Sequence, residues 1–379
     1  MEVKLGYKRS EVGVIPDNWS VEAIETAFDV CNHLRLPLSR AIREKIAGQY
    51  PYYGPTGVQG WINEYRVEGE YALIGEDGDH FLKWRSQPMT LLVRGRFNVN
   101  NHAHLVRGTK NLTEWFYWVF ANRDLTPFLT RQGAGRYKLT KAALLKIPCA
   151  LPSPCEQRAI VDALTDAEKL LFGLDRLIAK KRDLKQAAMQ LLLTGTARLS
   201  RFHHEWKPKK ISELLRYQRP DKFIVRSTDY EDSGDVPVLT ANKSFILGYT
   251  TEDFGVYDDL PVIIFDDFTT DHKYVDFPFK IKSSAIKILK AQNEDVNLKF
   301  VSERMRLLKF PLGEHKRYYI SEYQNMELPT PEPDEQIAIA KVLTDMDAEI
   351  ARLEQRREKT LALKQGMMHA LLTGKTRLV

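Results

Sequence analysis

Cysteine is scarce. The 379 residues hold three, Cys31, Cys149 and Cys155, an odd number with no C-x-x-C pair. That excludes a disulfide framework, a zinc ribbon and a thioredoxin-like site, and it fits a reducing, cytoplasmic setting. Long hydrophobic runs are missing too. Stretches such as Trp115–Ala121 and Leu260–Phe265 fall far short of the ~20 residues of a membrane span. The start, MEVKLGYKRS, has no apolar h-region, so neither a secretory signal nor a membrane partner is expected. No charge of one sign dominates: the formal net charge is +6 and the pI about 8.9, which permits an anionic partner without requiring one. With 43% apolar and 28% charged residues the composition is that of a folded globular protein. The length suggests two or three domains.

Catalytic signatures are also lacking. Leu372-Thr373-Gly374-Lys375-Thr376 resembles the end of a phosphate-binding loop, but His369 stands where its first glycine belongs. Gly374 also follows a helix instead of opening one, and phosphate needs the N-terminal end. No D-P-P-Y, N-P-P-F or F-x-G-x-G segment is present, so the chain encodes no adenine methyltransferase site; a G-x-S-x-G elbow is absent as well. His102-Ala103-His104 lacks further ligands at metal spacing and reads as an ordinary strand or loop pair. Glu314-His315-Lys316 with Asp266 or Asp267 leaves one enzymatic alternative, a metal-dependent nuclease. It has no counterpart in the first half.

What is present is a repeat. At an offset of 179 residues, Glu156-Gln157 returns as Glu335-Gln336, Leu164-Thr165-Asp166 as Leu343-Thr344-Asp345, and Leu192-Leu193-Thr194-Gly195 as Leu371-Leu372-Thr373-Gly374. Ungapped from Glu156 to Leu199, 19 of 44 positions are identical, which marks a duplication. Each copy predicts one long helix of about 38 residues, or about 57 Å. Ser153, Pro154 and Glu156 form a capping-box start, and Gly195 and Gly374 are the C′ glycines. Apolar residues step by four and three through Ile160, Leu164, Ala167, Leu171, Leu174 and Ile178, and through Ile339, Leu343, Met346, Ile350 and Leu353. After a slip at Lys180-Lys181-Arg182 the seam is expected to resume at Leu184, Ala188 and Leu191. The charge runs themselves read as solvated faces.

Between the helices lie segments rich in aromatics, Gly, Pro and β-branched residues. Tyr71–Ile74, Thr90–Val93, Val262–Phe265 and Ala285–Leu289 predict strands. The two segments share little sequence beyond Trp19 with Trp206 and Arg136-Tyr137 with Arg317-Tyr318. Their polar stretches suggest contact chemistry. Tyr52, Tyr53 and Thr56 sit in an aromatic, turn-rich loop. Arg94, Arg96, Asn98 and Asn100 are of the types that pair with guanine and adenine edges. Arg131, Arg136, Tyr137 and Lys138 flank a glycine-rich turn suited to phosphate. The second segment offers Thr240, Asn242, Lys243, Thr269, Thr270, Lys273, Tyr274, Lys316, Arg317 and Tyr318. These are the candidate DNA-binding residues.

The E-Q-x-x-I openings, the long helices and the L-L-T-G-x-x-R-L endings, all present twice, resemble the specificity subunit of type I restriction-modification systems. So do Gly13–Trp19, Tyr52–Gly60 and Leu73–Gly78. The resemblance implies an α/β (α+β) fold: two globular target recognition domains separated by two long antiparallel helices in a pseudo-twofold, circular arrangement. The expected boundaries are 1–150 and 201–327 for the recognition domains, with 151–200 and 328–379 for the helical regions. It further implies a non-catalytic protein that reads a bipartite site on double-stranded DNA. Two methyltransferase subunits would carry S-adenosylmethionine, restriction subunits where present would use ATP and Mg, and this chain would hold no cofactor. A coiled-coil scaffold whose domains bind protein is the alternative outside DNA recognition.

Overall fold

The two repeats fold as helices of 40 residues each, Pro154–Leu193 and Pro333–Leu372, about 60 Å long at 1.5 Å per residue. The computed structural model describes residues 4–132, 136–241, 244–311 and 317–378. The chain divides into two units. One comprises Met1–Leu174 with Arg356–Val379, the other Asp175–Gln355. Each unit therefore holds a globular domain, the start of one long helix and the end of the other. No helix among the described residues is long and apolar enough to cross a membrane.

In the first unit, Thr90–Val99 and Val67–Gly75 lie at the centre of a six-stranded sheet. Its order is Asp29–Val30, Ala103–Arg107, Val67–Gly75, Thr90–Val99, Ala47–Gly54, Gly57–Ile62. All neighbours are antiparallel except Ala47–Gly54 with Thr90–Val99. The expected loop at Tyr50–Gly57 is thus mostly strand, because alternate side chains from Tyr50 to Gly54 turn toward the core. The helix Thr113–Ala121 buries Trp115, Phe116 and Phe120, and the core continues into Ile160 and Leu164 of the first long helix and Leu371 of the second. In the second unit, Leu215–Gln218, Ile286–Ala291, Val262–Asp266 and His272–Val275 form a four-stranded antiparallel sheet. A second sheet joins Ile246–Thr250, Val236–Leu239 and Lys280–Ile281. The helix Leu298–Met305 packs with Leu193, Ile339 and Leu343.

The domains share a frame despite their divergent sequences. Trp19 precedes the strand Ser20–Ala23, which pairs antiparallel with Pro148–Leu151 just before the first long helix. Trp206 precedes Lys207–Lys210, which pairs in the same way with Glu327–Thr330 before the second. The other echo fails, for Tyr137 is half-buried on a hairpin whereas Tyr318 is a core residue.

Each frame is locked by a residue from beyond the other helix. Ser153 caps the first helix through the Glu156 amide at 3.3 Å, but the Glu156 carboxylate does not complete the expected capping box. It accepts from the Trp19 indole at 3.1 Å and from Arg377, whose Nη2 lies 2.8 Å away and whose Nε also donates. In the second unit Glu335 accepts from Trp206 at 3.1 Å and from both Arg198 nitrogens at 2.6 Å. Both carboxylates are buried. The following glutamines do the same job twice. Gln157 accepts from the Leu112 amide and donates to Asn111, and Gln336 accepts from the Asn297 amide, so each pins the start of a domain helix. Gly195 and Gly374 end the helices with φ of +73° and +69°. A Cβ on Gly374 would meet Pro16 at 2.4 Å, so glycine is required there by both backbone and space.

Ile160, Leu164, Leu171, Leu174 and Ile178 are buried as the spacing predicts. Beyond Lys180 the seam differs from expectation. Leu184 and Leu191 are 48% and 45% exposed, whereas Ala188 faces the core as expected, with Met189 and Leu192 beside it. The lysines of this stretch reach across to acids of the second helix: Lys181 to Glu349 at 2.7 Å and Lys185 to Asp347 at 2.5 Å, with Arg182 to Glu354 at 2.5 Å. Lys181 and Arg182 of that run are therefore paired between the helices, whereas Lys180 stays exposed as expected. Partner numbers fall as Lys181 gives way to Lys185, so the helices run antiparallel in this unit. In the first unit Lys364 pairs with Glu168 at 2.7 Å.

Candidate nucleic-acid interface

Local folding gathers part of the predicted set in the first unit. Burial alone would raise the Glu76 carboxyl, but Arg35 and Lys138 outweigh it and hold it below the ordinary carboxylate range. Arg35 lies 2.5 Å from Glu76 and donates to the Asn101 carbonyl at 3.0 Å; Lys138 lies 3.3 Å from Glu76. Alternation along Ala103–Arg107 turns His104 inward. Its Nδ1 accepts from Asn32 and its Nε2 donates to the Leu139 carbonyl, each at 2.8 Å, and burial keeps the ring neutral. His102 faces outward and bonds Asp77 at 2.8 Å. These contacts draw Asn32 and Arg35, the turn before Ala103 and the paired strands Thr130–Gln132 and Arg136–Lys138 to one edge. Arg131 stacks on Tyr137 at 5.0 Å and donates to its hydroxyl at 2.8 Å. Tyr53 is half-buried beside Asn100, and Thr56 is exposed at the Gly54–Gly57 turn.

Arg94 and Arg96 belong to a different group. They stand directly across the sheet from Glu70 and Glu68. Arg94 pairs with Glu70 and, at 3.3 Å, with Glu114; Arg96 lies 3.1 Å from Glu68 and over the Tyr65 ring at 4.8 Å. Both keep exposed edges, as side chains that snorkel over a sheet do.

In the second unit a turn follows Val262–Asp266. Asp266 accepts from the Phe268 and Thr269 amides at 2.9 and 3.0 Å. Asp267 accepts from the Tyr319 amide at 2.9 Å and pairs with Lys287 at 3.1 Å. Both carboxylates serve the fold. Thr270 has φ +59°, the left-handed non-glycine residue among those described, and such outliers in β-branched residues gather at functional turns. Arg317 lies over the exposed Phe268 ring at 5.8 Å. Lys273 and Tyr274 are half-buried on the adjoining strand.

Five candidates are withdrawn from direct contact because they are buried. The Tyr52 hydroxyl donates to Leu36 at 2.6 Å and accepts from Leu38. Asn98 donates to the Glu64 carbonyl at 2.8 Å. Asn100 bonds Gln59 at 3.0 Å and the His102 amide. Tyr318 packs on Phe310, and Thr240 is buried at a strand end. The Tyr52 hydroxyl and the Asn98 and Asn100 amide nitrogens donate within the fold, and all five side chains are closed off from a base edge by burial. Asn242, Lys243 and Lys316, with Glu314 and the glycine-rich turn 133–135, lie outside the described residues; Arg136 is placed on its strand. Arg35, Asn101 and His102 also border the Glu76 edge; sequence reasoning did not place Arg35 or Asn101 among the candidates and weighed His102 only as a metal ligand. The alternation of His102 with His104 was the available signal. No group of three or more His, Cys, Asp or Glu among the described residues is placed to hold a metal.

Two copies of a frame with unlike polar edges suggest two readers. The family model for the type I restriction modification DNA specificity domain matches residues 16–180 and again 203–363. The chain belongs to this family. Among specificity subunits, that of the Escherichia coli type I restriction enzyme EcoR124I/EcoR124II is 41% identical over 185 residues, 43% of this chain and 45% of that protein. The chain thus matches under half the length of that relative. A putative MjaX specificity subunit of Methanocaldococcus jannaschii is 23% identical across 98% of this chain and 96% of its own. The S subunit structure from M. genitalium shares the fold, with a TM-score of 0.67 at 13% identity, covering 93% of this chain and 96% of that one.

Proposed function

We propose that this chain is the DNA-recognition subunit of a type I restriction-modification complex. The domains at 1–150 and 201–327 each read one half of a bipartite sequence on double-stranded DNA. The helical regions, 151–200 and 328–379, hold the halves a set distance apart. Two methyltransferase subunits carry S-adenosylmethionine and methylate adenine; restriction subunits, where present, add ATP- and Mg-dependent cleavage. This chain holds no catalytic group of its own. The observation that carries the reading is one frame built twice, with the same clamp, around polar edges that differ in sequence. Within each reader, Arg131 with Tyr137 and Lys138, and Phe268 to Thr270 with Arg317, supply backbone and base-edge contacts, while Arg94 and Arg96 lend positive potential. Phosphate contacts provide salt-dependent affinity and base edges the specificity.

Domain exchange tests it. The chain is expressed with its methyltransferase partner and modified adenines are mapped by sequencing. Replacing 206–327 with another recognition domain is expected to change one half-site and leave the other. A change in both halves, or no sequence-dependent methylation at all, would refute the two-reader model.

A further inference from the structure

One residue of the hairpin Ala47–Gly54 with Gly57–Ile62 stands outside its ladder. Tyr52 pairs with Gly60 and Tyr53 with Val58, so Gln59 is the extra residue of a β-bulge. A bulge re-aims the side chain it leaves unpaired. The Gln59 backbone carbonyl accepts from Arg43 at 2.7 Å, and Arg43 lies over the Tyr52 ring at 4.8 Å. The side chain is held as well. Its Oε1 accepts from Asn100 Nδ2 at 3.0 Å. Asn100 is buried, and its Oδ1 accepts from the His102 amide at 2.8 Å. A backbone amide only donates, so that bond fixes which end of Asn100 faces Gln59, and thereby which end of Gln59 faces Asn100. The Gln59 side chain lies back across Gly54, where an added Cβ would collide with it. Gln59 is nevertheless exposed, and no bond to its Nε2 is present among the described residues. The His102 carbonyl accepts from the Glu76 amide, which joins the bulge to the polar edge of the first domain.

We propose that Gln59 is a base-reading residue of the first domain and that Asn100 positions it. The inference rests on the proposed function for the presence of DNA. It adds one reader, the base it reads and the residue that aims it. Asn100 occupies one lone pair of Oε1; the second lone pair and both Nε2 hydrogens remain. A donor beside an acceptor matches adenine, whose major-groove edge carries the N7 acceptor and the N6 donor. The major groove admits a two-stranded β-ribbon, and this hairpin forms one end of its sheet. The adenine read is not the one methylated, because a base under modification leaves the stack. Holding the amide in place beforehand removes rotamer freedom that an exposed glutamine otherwise loses on binding.

The full chain is co-expressed with its methyltransferase partner. Methylation is then measured on duplexes in which each base pair of the recognised sequence is replaced in turn. Wild type is expected to demand adenine at one position of one half-site besides the methylated base. Gln59→Ala should cut that preference about tenfold. Gln59→Glu, which only accepts, should move it toward cytosine. Asn100→Asp keeps Gln59 but turns its amide over, and should lower selectivity at the same position and no other. A purely structural Asn100 would lower the melting temperature and leave the recognised sequence alone. Should Asn100→Asp fail to fold, the two Gln59 variants decide alone. An unchanged sequence for Gln59→Ala, or a change at a position that is not adenine, overturns the inference and leaves the proposed function standing. A wild-type complex without sequence-dependent methylation refutes the proposed function, and the inference with it.

Discussion

Among the described residues Arg377 is the cation that meets the buried Glu156 carboxylate, and replacing it with alanine leaves that carboxylate the Trp19 indole. Breaking a buried ion pair from one side costs about 3–5 kcal/mol. Arg377 keeps 29% of its side chain exposed while Glu156 keeps 1%, so water admitted at the outer edge recovers part of the loss. The expectation is therefore the low end, about 3 kcal/mol. For a unit of this size that lowers the melting temperature by about 6–12 °C. Arg198→Ala should do the same to the second unit, where Glu335 is equally enclosed. Calorimetry of Arg377→Ala, Glu156→Gln and the double variant gives the coupling directly, expected above about 1.5 kcal/mol. Arg377→Lys should fall between, since lysine keeps the charge and loses the two-pronged geometry. Losses below about 1 kcal/mol for both arginine variants, the range of exposed pairs, would refute the clamp as a stabilising element.

Inserting four residues, one helical turn, into one long helix adds about 6 Å and is expected to lengthen the recognised spacer by one or two base pairs; an unchanged spacer in the methylation map argues against a ruler. His104 and His272 are both buried, and burial pushes their pKa values down. Below pH ~6.5 the unfolded chain binds more protons there than the native chain, so stability should be full above that pH and fall below it, by at most about 1.4 kcal/mol per pH unit for each histidine. Denaturant titrations between pH 5 and 7 of wild type and His104→Gln read this, and a flat wild-type profile counts against it. Arg131→Ala is expected to weaken DNA binding and reduce the salt slope by about one, whereas Tyr52→Phe should cost about 1 kcal/mol of stability and leave the methylated sequence unchanged. An altered sequence for Tyr52→Phe would return that residue to the reading surface.

Periodicity made the helices legible, from the Pro154 start to the Gly195 and Gly374 stops, because capping and burial are local. Trp19 and Trp206 marked the shared frame for the same reason. The clamp was not legible. Glu156 sits where a capping-box glutamate belongs, and its actual partner lies 221 residues away, so local reasoning supplied the wrong role. Residue type also misled at the polar edges. Asn98 and Asn100 have the chemistry of base readers, yet both are buried and their amide nitrogens donate inside the fold, to the Glu64 carbonyl and to Gln59. Beyond Lys180 the seam held at Ala188 but not at Leu184 and Leu191, where lysines with acidic partners take the space between the helices, which a count of apolar spacings does not register.

The clamps also impose an order on synthesis. Arg198 emerges before Glu335, so the second unit can lock as soon as its carboxylate leaves the ribosome. Glu156 must wait for Arg377, 221 residues later, a delay of about 10–45 seconds at ordinary elongation rates. The domain made first is thus latched after the second, and a message cut short before the codon for Arg377 yields a first reader whose frame stays unlatched.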